Sequence, residues 1–136
     1  MTDQISLGLT VKIPLEFDAA VDRVTEALKT EGFGVLTEID VRATMKKKLD
    51  VDFRPYKILG ACNPPLAYRA LNAVPQVGLL LPCNVTVAYV EDHLTEVSLV
   101  DPVVMMGAVR HPELEAVAND AQARLKRVAS MLASIE

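Results

Sequence analysis

The chain has 136 residues, 51% hydrophobic and 24% charged, with a formal net charge of −4. That length buries a core without disulfide or metal staples, and the composition is that of one folded globular domain rather than a disordered chain. The acidic balance and the scarcity of aromatic residues, 4% with no tryptophan, argue against nucleic acid as a partner, which draws on a basic surface or a stacking platform.

The first stretch, Ile5 to Ile13, alternates apolar and polar residues and predicts a half-buried strand that Pro14 ends. Asp18 is the expected N-cap of a helix reaching about Glu31, with Val21, Val24 and Leu28 at helical spacing and Gly32 as its stop. Phe33 to Val41 alternates again. A short helix is expected from Ala43 to Leu49, with Met45 and Leu49 inward, and a third strand from Phe53 to Ala61, entered through Pro55. Asn63 then has the character of an N-cap and Pro64 that of a first helical residue, where a missing N–H costs nothing. That helix carries Leu66, Ala67, Ala70, Leu71 and Val74 inward and stops near Pro75. Gln76 to Gly78 reads as a loop and Leu79 to Val90 as a fourth strand. A turn at Asp92-His93 makes a hairpin with a fifth strand, Thr95 to Val100. Asp101-Pro102 repeats the cap-then-proline signature. A last helix, about Glu113 to Ser134, carries a heptad stripe of Leu114, Ala118, Ala121, Leu125, Val128, Leu132 and Ile135.

Strands that alternate with helices and then pair in a hairpin predict an α+β fold for residues 1–136 as a single domain. Two layers are expected, a mixed or antiparallel sheet of about five strands with helices packed mainly on one face. The strand order is not readable from the sequence. No basic cluster precedes an apolar block at the start, and no apolar run nears the roughly 20 residues that span a bilayer. The expectation is a cytoplasmic protein without a membrane partner, whose two cysteines are reduced thiols.

Chemistry concentrates between Tyr56 and Asn84, the stretch holding both cysteines, each followed by asparagine. Cys62 falls at a strand-to-helix junction, near backbone N–H groups and the positive end of a helix dipole, a setting that favours the thiolate. Cys83 follows Pro82 and shares a face with Leu81 and Val85, which favours burial as a small hydrophobe. The candidate ligand-binding residues are Tyr56, Cys62, Asn63, Pro64, Cys83 and Asn84. Cys62 is the candidate nucleophile, and Cys62 with Cys83 is the candidate metal pair, though two thiols fall short of a closed zinc site. His93 in a turn and His111 at a helix start read as solvated polar residues. The basic run with Arg42, Lys46, Lys47, Lys48, Arg54 and Lys57 reads mainly as a solvated face that also suits an anionic ligand. No Cys-x-x-Cys, His-x-x-x-His or serine-triad spacing assigns a reaction or a cofactor.

The runs K-K-L-D-V-D-F-R-P-Y-K-I-L-G-A-C-N-P, L-L-L-P-C-N-V and V-D-P-V-V-M-M together resemble the family called domain of unknown function 302. The likeness extends from the first strand to the Asp101-Pro102 helix, and its two Cys-Asn landmarks are specific. It implies a compact bacterial or archaeal α+β domain, often a homodimer, and it brings no established activity. Three readings follow. The first is a dimeric module binding a small ligand or metal near Cys62, Asn63 and Cys83. The second is a redox or sulfur-handling protein with Cys62 as nucleophile and Cys83 as resolving partner. The third is a structural or regulatory interaction domain with both cysteines in the core.

Overall fold

A computed structural model describes residues 6–136. The described chain runs β1 (Gly8–Ile13), α1 (Phe17–Thr30), β2 (Gly34–Asp40), α2 (Val41–Leu49), β3 (Tyr56–Cys62), α3 (Pro64–Ala73), a 3₁₀ helix (Pro75–Leu80), β4 (Cys83–Glu91), β5 (Leu94–Val100), α4 (Pro102–Met105) and α5 (Pro112–Ala133). The strands form one sheet in the order β1-β5-β4-β3-β2, every neighbouring pair antiparallel. The fold is therefore α+β, and of the two sheet types expected it is the antiparallel one.

One face of the sheet builds the core. Ile13, Leu59, Val85, Val87, Val97 and Leu99 are buried there with Val24 and Leu28 of α1, Leu66 and Ala70 of α3, and the α5 stripe. The α5 stripe follows the expected heptad: Leu114, Ala118, Ala121, Leu125, Val128 and Leu132 are all buried within this chain. α5 buries eight residues, against four for α1 and two for α3, and each Å² of apolar surface so removed from water stabilises the fold by about 25 cal/mol.

Local chemistry sets most boundaries. Asn63 caps α3 with Pro64 in its first turn, and Asp101 caps α4 by accepting the Val103 N–H at 2.9 Å. Pro75 ends α3 because it cannot continue the hydrogen-bond ladder. Several expectations are corrected. α1 begins after Glu16, without a side-chain cap, so Asp18 lies in its first turn instead of capping it. Leu49 of α2 and Leu71 of α3 face outward, 65% and 41% exposed. β3 starts three residues later than expected, after Pro55. Leu79 is 83% exposed in the 3₁₀ helix, and β4 begins only at Cys83. The apolar run Leu79-Leu80-Leu81 carries no period that separates a strand from a short helix, and Pro82 withholds a ladder N–H. Ile5 of the first expected strand lies outside the described residues.

Candidate functional site

Three chain segments meet at one end of the sheet: the close of β3, the opening of β4, and the junction of α1 with β2. Asn63 ties the close of β3 to the α1–β2 junction. Its side-chain oxygen accepts the Leu66 N–H at 3.3 Å, and its amide nitrogen donates to the Glu31 carbonyl at 3.2 Å. The same carbonyl accepts from Arg124 of α5 at 3.0 Å, while the Glu31 carboxylate accepts two bonds from Arg127 at 3.0 and 2.8 Å. The Arg127 hydrogen bond holds the Glu31 carboxyl below the ordinary carboxylate range. Gly32 completes the junction with φ +84°, and a Cβ there would sit 2.9 Å from the Asn63 amide nitrogen. Asn63 is thus buried and doubly bonded, a structural role that its place as a cap only half reveals.

Beside this junction lies a groove of about 240 Å³. Its walls come from Phe33, Leu66, Met106 and Val117, and from alanines at positions 61, 67, 70 and 121. Those alanines, on β3, α3 and α5, are the physical reason for the space: three packed elements present methyl groups where larger side chains would meet. Leu36 and Leu71 border it and are themselves exposed to solvent. A cavity of about 150 Å³ with apolar walls stays dry and admits benzene, so this groove has room for a small apolar molecule.

Cys62, Asn63 and Cys83 all border the groove. Cys83 is paired with Ala61 in the sheet, not with Cys62. The cysteines therefore occupy adjacent strands at alternate positions, which aims regular strand side chains to opposite faces; both still reach the groove because it opens where β3 ends and β4 begins. Cys62 is half-buried and Cys83 buried. Burial first, and then the neighbouring Cys62, push the Cys83 thiol from 9.0 to about 11, so at neutral pH it is protonated and a poor nucleophile or metal ligand.

The remaining candidates are dispersed. Tyr56 opens β3 at the other end of the strand from Cys62, on the order of 20 Å away at about 3.4 Å per residue, and its ring packs edge-on against Phe53 at 6.0 Å. Pro64 and Asn84 are exposed and border no part of the groove. His93 pairs with Glu16 at 2.9 Å, and His111 caps α5 by accepting the Glu113 N–H at 3.1 Å, so neither histidine turns toward the cysteines. Among the described residues no three His, Cys, Asp or Glu side chains gather closely enough to hold a metal ion. No described helix is long and apolar enough to cross a membrane. The groove walls from Phe33, Met106 and α5 were invisible to sequence reasoning, because residues far apart in the chain form them.

A five-stranded antiparallel sheet with helices on one face and an apolar groove at its end places the protein in the two-layer α+β class. The chain belongs to the family described as Domain of unknown function DUF302, whose model matches residues 9–132. Among solved structures it is similar to one titled "Crystal structure of uncharacterized conserved protein DUF302 from Bacillus stearothermophilus". The two share 34% sequence identity with a TM-score of 0.80, over 94% of this chain and 97% of that one. No curated protein matches the chain.

Proposed function

We propose that this domain binds a small apolar molecule in the groove between the β3–β4 strand ends, α3 and α5. One observation carries the reading: about 240 Å³ of space is walled almost wholly by carbon, with a half-buried thiol and a fixed amide at its border. Apolar walls with a few placed polar groups are the usual composition of small-molecule sites. Titration with benzene and a short-chain alkyl probe, followed by amide NMR, tests it. Saturable shifts at Cys62, Leu66 and Ala70 are expected, and the Ala67→Trp variant, which fills the groove from a half-buried position, abolishes them. Shifts that fail to saturate, or that survive Ala67→Trp, overturn the reading.

A second reading, thiol chemistry at Cys62, draws support from the unequal exposure of the cysteines. It expects iodoacetamide to modify Cys62 in the native protein and Cys83 only after denaturation. A Cys62 that reacts no faster than a buried thiol removes it.

A further inference from the structure

The groove wall carries three sulfur atoms drawn from three parts of the chain. Cys62 ends β3, Cys83 opens β4 and Met106 follows α4, and all three border the same groove. Cys83 lies opposite Ala61, so Cys62 is one residue along the adjacent strand, with Cα atoms about 6 Å apart by strand spacing and rise. Met106 is 4% and Cys83 7% exposed, and Cys62 is half-buried. Among the described residues neither thiol enters a side-chain hydrogen bond. Buried polar groups ordinarily have a partner; the Cys83 thiol borders the groove without one.

The other polar groups at this border are already engaged. Asn63 gives its amide oxygen to Leu66 and its amide nitrogen to Glu31. α3 opens on two prolines, which have no N–H, and the next two N–H groups, of Leu66 and Ala67, both bond to Asn63. A helix N-terminus ordinarily offers donors to an anion; this one keeps none for a phosphate or a carboxylate. No carboxylate or imidazole borders the groove among the described residues. Hard cations, which take oxygen ligands, and Zn(II), which takes four ligands of nitrogen, sulfur or oxygen, therefore find an incomplete set. Thiolate and thioether sulfur alone is the donor set that suits Cu(I).

We propose that Cys62, Cys83 and Met106 form a binding site for Cu(I), two thiolates and one thioether around a soft monovalent ion. A sulfur–copper bond forms at each cysteine as its proton passes to solvent, and the Met106 thioether adds without losing a proton. The copper enters and stays as Cu(I), so no electron is transferred. Burial of Cys83 disfavours a bare thiolate, but a bound cation offsets that charge and displaces the proton outright. Carbon walls keep away the nitrogen and oxygen ligands that favour Cu(II). The site goes beyond the binding of an apolar molecule in the groove and does not depend on it.

Anaerobic titration of the full chain with Cu(I), against bicinchoninate as a coloured competitor, tests this, with circular dichroism confirming the fold of each variant. The wild type is expected to take one Cu(I) per chain from the competitor and to gain a near-ultraviolet sulfur-to-copper absorption. Losing an outer partner of a metal ligand costs about 10–100-fold in affinity, so Cys62→Ser and Cys83→Ser, which remove direct ligands, should each cost about 100-fold or more. Met106→Leu, which keeps the wall apolar, should cost about tenfold. Where Cys83→Ser fails to fold, Cys83→Ala gives the same loss and keeps the wall apolar. A wild type that leaves the metal with bicinchoninate overturns the proposal, as does a Cys62→Ser/Cys83→Ser variant that binds as tightly. So does Zn(II) held as tightly as Cu(I), or a Met106→Leu variant of unchanged affinity. Benzene shifts at Leu66 and Ala70 read groove binding separately, so the failure of one leaves the other standing.

Discussion

The two ends of β3 make a natural comparison. At the Cys62 end, Asn63, Gly32, Arg124 and the α5 stripe meet, and buried apolar residues surround the strand. At the Tyr56 end, α2 and residues 50–54 stand in solvent. Both ends adjoin a helix with a side-chain N-cap, Asn63 for α3 and Asp40 for α2. Equivalent local signals thus have unequal consequences: a cap starts a helix, whereas packing decides how much stability and what chemistry that helix contributes.

The largest test of this contrast is truncation of a leucine at each end. Leu125 is 1% exposed, and Leu125→Ala is expected to cost about 2–5 kcal/mol of unfolding free energy. Leu49→Ala, at a position 65% exposed, should stay within about 0.5 kcal/mol. Urea denaturation of both variants measures the gap, and equal effects would erase the distinction.

Alkaline titration comes next. The native Cys83 thiol holds its proton up to about 11, against an ordinary 9.0. Between those values the unfolded chain sheds a proton that the native chain keeps, so stability falls as pH rises through the window, by up to about 2–3 kcal/mol. Below it the thiol adds no slope. In Cys83→Ala the denaturation midpoint should lose that part of its alkaline decline, and an unchanged profile would show that the burial of Cys83 is not coupled to folding.

Smaller effects sharpen the picture at the junction. Gly32→Ala places a methyl group against the Asn63 amide at a positive φ and should cost about 1–3 kcal/mol. Asn63→Ala removes a cap and an interelement hydrogen bond, for about 1–3 kcal/mol. Asp40→Ala removes a cap alone and should cost about 0.5–1 kcal/mol. Thermal unfolding of the two cap variants would reveal whether the Asn63–Glu31 link matters: equal losses would make Asn63 only another cap.

What the sequence determined by itself was whatever is encoded over a few residues. Asn63-Pro64 and Asp101-Pro102 announce helix starts because capping and proline geometry act within a turn, and the α5 stripe is legible because its period is regular. The inward faces of α2 and α3 were misjudged at Leu49 and Leu71, since apolar spacing says which residues share a face but not whether anything packs on it. The Leu79 run read as strand because a short apolar run has no distinguishing period. Tertiary structure alone decided the strand order, the meeting of Asn63 with Glu31, the placement of Cys83 beside Ala61, and the groove. Each depends on contacts between residues distant in the chain, where burial and pairing energies outweigh local preference.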